Sequence, residues 1–224
     1  MIKKLDISVS DEIKNACPQF RGAAVYAAVT NSDYNVELWK EIADFIELYR
    51  QKYTTDSIKE MKAIQATRIA YKKCGKDPSR YRPSSEALCR RILQGKDLYQ
   101  IDTLVDLINL ASIRSGHSIG GFDYDKIEGS KLVLGIGKSG EPYEGIGRGT
   151  LNIEGMPVYR DAKGGIGTPT SDNERTKMDT NTSHILAIMN AYSGPDELAE
   201  NVSFMVELLK KYAQAKNVEV VYFE

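Results

Sequence analysis

Cysteine is scarce in this sequence and histidine scarcer: Cys17, Cys74 and Cys89 are the three cysteines of 224 residues, and His117 and His184 the two histidines. The cysteines are odd in number and scattered, with no C-x-x-C pair. That argues against a disulfide framework and a structural zinc site and leaves ordinary reduced thiols. Neither histidine has a neighbour at metal-ligand spacing, so no metal and no other cofactor is expected. No nucleophile motif supports a Cys–His hydrolase. No apolar run approaches the roughly 18 residues of a membrane span, and the opening MIKKLDISVSDEIKN has no apolar signal-peptide core. A cytoplasmic protein without a membrane partner is the expectation. No sign of charge dominates either: 30 Lys and Arg stand against 31 Asp and Glu, a net charge of -1, so any affinity for a polyanion must come from a local patch. Repeats, low-complexity segments and obvious linkers are also missing.

What is present is a hydrophobic content of 42%, enough for a real core. FRGAAVYAAV at 20–29 is small and apolar without polar alternation, the pattern of a strand buried on both faces. After Asn31-Ser32-Asp33, residues 35–50 carry Leu38, Ile42, Phe45, Ile46 and Tyr49 on one helical stripe. A second helix is expected behind Ser57 and Glu60, read as a capping box, ending at Gly75 and Pro78. Two short helices over 85–93 and 104–115 precede Gly95 and Gly116, glycines suited to a left-handed helix stop. Between 118 and 170 lie most of the glycines and short apolar runs, LVLGIG at 132–137 and MPVY at 156–159, read as brief strands. Pro195, Asp196 and Glu197 are placed in the first turn of a last helix, and Val218, Val220 and Tyr222 alternate as a final strand. The pattern is that of an α+β domain with a β-rich centre flanked by helices and a helical N-terminal addition. We expect one compact unit: a strand-plus-helix portion over 1–79, a core over 80–192, and a C-terminal helix and strand over 193–224.

GIGRG at 145–149 resembles a phosphate loop only superficially, because no helix starts behind its glycines; hairpin turns needing positive φ account for them. More informative is the run from Arg68 to Lys96, where nine basic residues face two acids, Asp77 and Glu86. Arginine forks and the interleaved Tyr71 and Tyr81 suit a nucleic-acid backbone; solvated helix faces suit the same residues. TSDNERTKMDTNTS at 170–183 packs charged and hydroxyl groups at the mouth of the apolar HILAIM, where an ordinary loop and a binding site are both common.

These residues carry a family resemblance. RYRPSSEALCRRIL at 80–93, IDTLVDLINLASIRSGHSIGGFDYDKIEG at 101–129, MPVYRDAKGGIG at 156–167 and DNERTKMDTNTSHILAI at 172–188 resemble, in consistent order, the B3/B4 domain. That is the tRNA-editing domain of the phenylalanyl-tRNA synthetase beta subunit, here in a free-standing form. The most specific piece is VDLIN followed by GHSIGGFDYDKIEG, similar to the synthetase's V-D-V-T-N run, its G-Q-P-L-H-A-F-D and its D-K-x-x-G turn. The resemblance implies a pocket that receives the aminoacylated 3′ end of a tRNA and hydrolyses a wrongly attached amino acid, with tRNA, or a synthetase, as partner. It places Asn109 on the family's pocket asparagine, and with His117 this makes the catalytic pair. Asp172, Glu174, Arg175 and Gly120 fall to substrate binding, and Arg80, Arg82, Arg90 and Arg91 to RNA. The family's pocket histidine aligns with Gly120 and its selecting glutamate with Ile188, so tyrosine selection is not expected. A trans-editing hydrolase and a non-catalytic RNA- or amino-acid-binding module both fit the residues.

Overall fold

The computed structural model describes residues 4–224. In chain order the elements are β1 (Asp6–Val9), α1 (Asp11–Ala16), β2 (Arg21–Ala28), α2 (Val36–Lys52), a 3-10 turn (Thr55–Glu60), α3 (Lys62–Lys73), α4 (Ser84–Leu93) and α5 (Thr103–Ser115). There follow β3 (Ile119–Asp123), β4 (Lys131–Ile136), β5 (Glu144–Gly145), β6 (Gly149–Thr150), β7 (Pro157–Arg160), β8 (Gly165–Gly167), β9 (His184–Ala191), α6 (Leu198–Ala213) and β10 (Lys216–Phe223).

One sheet runs β10-β2-β9-β3 and is antiparallel throughout. A second runs β1-β4-β7-β8, with β1 parallel to β4 and the other pairs antiparallel. β2 lies inside the first sheet with apolar neighbours on both faces, as its lack of polar alternation requires. Ala23, Val25 and Ala27 join Ile185, Ala187 and Met189 of β9 in a core closed by Leu38 and Ile42 of α2, Leu107 of α5 and Met205 of α6. On the opposite face Ala24, Tyr26, Leu186, Ile188 and Phe122 of β3 meet Leu132, Leu134 and Tyr159 from the second sheet. The order is helices, sheet, sheet, with β2 and β9 packed from both sides.

The α+β reading, with a β-rich centre and a helical N-terminal portion, matches this architecture. Differences in detail have local causes. The capping pair at the second helical segment is Thr54 with Ser57, not Ser57 with Glu60, and it closes a 3-10 turn; α3 starts only at Lys62. The last helix starts at Leu198 rather than near Pro195, because Gly194 at φ 96 and Glu197 at φ 61 keep the intervening chain in turns. β1 and α1 carried too few apolar residues to be read. β1 gains its place by pairing with β4, a partner more than a hundred residues away.

One buried side chain ties this frame to the site. Asn31, at the end of β2, accepts the backbone N–H of Ser32 and of Leu104 at 3.0 Å each and donates from Nδ2 to the Asp179 carbonyl at 2.9 Å. It links β2, the first turn of α5 and the segment before β9. Asn31→Ala is expected to cost about 2–3 kcal/mol, since buried donors and acceptors lose their partners together, read as a lower urea midpoint at unchanged slope.

Candidate functional site

α5 opens at Asp102, whose side chain accepts the Val105 N–H at 2.9 Å. With 3.6 residues per turn, Val105, Ile108, Asn109 and Ser112 form one stripe, while Leu104, Leu107, Leu110 and Ala111 face the core. The first stripe is one wall of a pocket of about 520 Å³. Ser84 and Leu88 of α4 form a second wall, Ile119 and Gly121 of β3 the floor, and Ile146 with residues from Thr168 to Thr180 the far side. Gly121 leaves room here: a Cβ would lie 2.7 Å from Ile108 Cδ1 and 2.8 Å from Met178 Cε, so a larger residue would push these two side-chain ends aside in the pocket.

β3 is the edge of its sheet, and its outward Gly121 N–H donates to Asp172 Oδ2 at 3.0 Å. The backbone of Asp172 bridges to Gly167, and its carbonyl accepts the Ile146 N–H at 3.0 Å. Burial pushes the Asp172 carboxyl up to about 7, opposed by the Gly121 N–H. Across the pocket the half-buried Asn109 amide meets no hydrogen-bonding partner among the described residues and is available to a ligand.

GIGRG is a hairpin, β5 paired with β6, and its tip reaches the polar segment: Ile146 joins the pocket and the Gly147 N–H donates to Glu174 Oε1 at 3.1 Å. Glu174 does not line the pocket itself but holds the pocket-lining Lys177 at 2.6 Å. Arg175 turns toward the β7–β8 connection, where it binds Asp161 at 2.8 Å and the Lys126 carbonyl at 3.2 Å. His117 lies under the pocket wall rather than on it. It is 2% exposed, burial pushes its imidazole down to about 4, and its carbonyl accepts from pocket-lining Ser112 at 2.7 Å. Gly120 faces away from the pocket, since a Cβ there would meet the Phe122 ring at 2.7 Å; its cross-strand partner is the fully buried Ile188. Of the six catalytic and substrate-binding expectations, the pocket therefore brings together Asn109 and Asp172.

The basic run divides. Glu86, 1% exposed, binds Arg68 and Arg90 at 2.8 Å each and has Arg82 at 3.7 Å, so three guanidinium groups share one buried carboxylate. Arg91 lies three residues beyond Leu88 on α4, donates from Nε to the Asp97 carbonyl, and its guanidinium stacks 3.8 Å over the ring of Tyr99, which is 66% exposed. Ile101, two residues on, lines the pocket. Arg80 sits 5.8 Å from the Tyr81 ring, which also carries Lys76 at 3.8 Å. Sequence reasoning missed Ser112, Thr168, Lys177, Met178 and Thr180 as pocket residues; the α5 stripe was readable from its spacing, the others were not. Among the described residues no cluster of His, Cys, Asp or Glu could hold a metal ion, and no helix is long and apolar enough to cross a membrane.

The model of the B3/4 domain family matches residues 66–204, more than half of the sequence and the whole of the pocket wall. This chain belongs to the B3/4 domain family. In structure it is similar to an N-terminal fragment of the phenylalanyl-tRNA synthetase beta-subunit from Pyrococcus horikoshii, with a TM-score of 0.52, 13% identity, and 98% of this chain covered. At that identity the likeness speaks for the B3/4 fold alone. The chain spans 52% of that fragment, about half its length. No curated protein sequence matches the chain.

Proposed function

We propose that this B3/4 domain is a cytosolic hydrolase of aminoacyl esters carried on the 3′ end of RNA, with the reaction centred between Asp172 and Asn109. The observation that carries the reading is the Asp172 carboxyl, held near 7 in a mostly apolar pocket and aimed by Gly121, where it can both take and return a proton at neutral pH. In the ionised state it removes a proton from a water that attacks the ester carbonyl. The Asn109 amide donates to the oxyanion that develops, and the ribose oxygen leaves with the proton that Asp172 returns. Ester and water become a free amino acid and a ribose hydroxyl, with no covalent enzyme intermediate. Apolar side chains, Leu88, Val105, Ile108, Ile119 and Met178, line much of the space, which suits the side chain of an amino acid.

The RNA side of the reading rests on Arg91 stacked over the exposed Tyr99, two residues before the pocket-lining Ile101, where a terminal base can stack and a phosphate meet the guanidinium. The three arginines on Glu86, with Arg80 nearby, extend the positive surface along α4. Arg91→Gln is expected to lower the salt slope of tRNA binding by about one unit, the loss of one phosphate contact, in titrations from low to physiological salt.

Deacylation of a panel of mischarged tRNAs by the purified protein tests the proposal. Hydrolysis of at least one species, lost in Asn109→Ala, is the expected result. Salt-sensitive tRNA binding without hydrolysis of any species would replace it with a binding module.

A further inference from the structure

A second cleft, of about 950 Å³, opens between α2 and the 97–100 segment that leads into α5. Trp39, Ala43, Glu47 and Gln51 follow one another at four-residue spacing and form a single ridge of α2 along one side. The small Ala43 leaves a gap in that ridge between the indole and the carboxylate. Ile42, Ile46 and Leu98, all buried, make the floor, and Asp97, Tyr99 and Gln100 stand opposite the ridge. The indole is held in place: Trp39 Nε1 donates to Asp106 Oδ2 at 2.7 Å, while Oδ1 of the same buried carboxylate accepts the Ile101 N–H at 3.1 Å. Arg50 donates to the carbonyls of Ile92 at 2.8 Å and Lys96 at 3.2 Å and so ties the end of α4 to α2. The side chains of Glu47, Gln51, Asp97 and Gln100, by contrast, meet no hydrogen-bonding or ionic partner among the described residues.

We propose that this cleft binds a nucleobase bearing an exocyclic amino group, on the nucleotide that precedes the terminal one in a single-stranded RNA end. The inference rests on the RNA side of the proposed function and adds to it a site that selects a base. An anion in the cleft would face two free carboxylates, and a cation would face Arg50 with Arg91 and Lys96 beside it. A neutral, planar group with hydrogen-bond donors on its edge meets neither objection. Its face stacks on Trp39 or Tyr99, its amino group donates to Glu47 or Asp97, and the two glutamine amides complete the edge. Uracil presents a carbonyl where cytosine presents its amino group, and that oxygen would be turned toward a carboxylate. Position along the chain gives the order of the nucleotides. Tyr99 and Gln100 line the cleft, and Ile101 and Asp102 line the Asn109–Asp172 pocket. Tyr99 and Ile101 are two residues apart, at most about 7 Å of extended chain, so neighbouring nucleotides can occupy the two places while Arg91 and Lys96 meet the phosphate between them.

Trp39 is the one tryptophan of the sequence, so its fluorescence reports on the cleft without a label. The experiment titrates the full chain with short single-stranded oligocytidylate and oligouridylate, following Trp39 emission and, in parallel, the anisotropy of dye-labelled oligomers. Saturable quenching by oligocytidylate is expected, with oligouridylate bound about tenfold more weakly, the discrimination that one base-edge contact supplies. In the double variant Glu47→Ala, Asp97→Ala that gap should close; both side chains are exposed, so the fold is kept. RNA that binds by anisotropy without changing Trp39 emission would overturn the cleft and leave the RNA side of the pocket reading intact. Equal binding of the two oligomers by the native chain would overturn the selection of an amino-bearing base. Absence of binding by both measures would overturn the cleft and the RNA reading together. Quenching by oligocytidylate in a chain that deacylates no tRNA would still support the cleft, because the probes carry no aminoacyl ester.

Discussion

Replacing Asp172 with Asn is expected to lower kcat for deacylation by about 10²–10⁴-fold, the usual contribution of a positioned general base, while the fold is kept. The native carboxylate makes one structural contact, accepting the Gly121 N–H at 3.0 Å, and an amide oxygen can take the same bond. The pH dependence separates catalysis from structure. As the acting base, Asp172 must be ionised, so kcat/KM should rise with pH through about 7 and then level off; in Asp172→Asn that rising limb should vanish. Stability moves the other way. The folded-state pKa is raised above the usual aspartate value of 3.8, so between about 4 and 7 the unfolded chain releases a proton that the native chain keeps. Stability contributed by that proton is present at low pH and falls as pH rises through 7. Asp172→Asn should therefore be more stable than the native chain at pH 8 and about equal to it at pH 4, in urea unfolding at each pH. An unchanged kcat, or a rising limb that persists in the variant, would remove Asp172 from the chemistry.

Much of the frame could be read from the residues because its elements carry their own signals. The both-faces-apolar run of β2 and the single stripe of α2 depend on periodicity alone, and both lie where periodicity puts them. Gly116 ends α5 at φ 72, as a glycine stop should. The pocket was harder to read. Asn109 was visible through the resemblance, which sets it on the family's pocket asparagine, and Asp172 because it lies in the polar segment before β9. What no local pattern reveals is which polar residue of that segment turns inward. Asp172 does so because its backbone bridges Gly167 and its side chain finds the free edge of β3, whereas Arg175, three residues later, is drawn outward to Asp161. His117 has the chemistry of a catalytic residue and the sequence position of a loop. Its burial comes from the packing of α5 against the first sheet, which sequence distance does not encode. The run of basic residues is contiguous in sequence but divided in space, because a helix sends Glu86 and Leu88 to nearly opposite sides.

Ile188→Glu tests whether the family's selecting carboxylate could be restored at its aligned position, and the expected result is unfolding rather than new selectivity. Ile188 has no exposed surface and belongs to the core between the two sheets, with Tyr26, Phe122, Leu186 and Tyr159. Its antiparallel neighbours are Ala24 and Gly120, neither of which offers a polar side chain. The nearest acid offers no help: a Cβ on Gly120 would already lie 3.4 Å from Asp172 Oδ1 and 2.7 Å from the Phe122 ring. An introduced carboxylate would be desolvated, unpaired and close to another carboxyl, so it would either take up a proton or force the sheets apart. A loss of about 4 kcal/mol or more is expected, large against the 5–15 kcal/mol stability of an ordinary domain, and it should ease at low pH where the new group is neutral. Ile188→Gln, which adds polarity without charge, should lose less. A loss below about 1 kcal/mol with the native fold intact would show that this face of β9 is wet, and would move the ligand from the Asn109–Asp172 pocket to the space between the sheets.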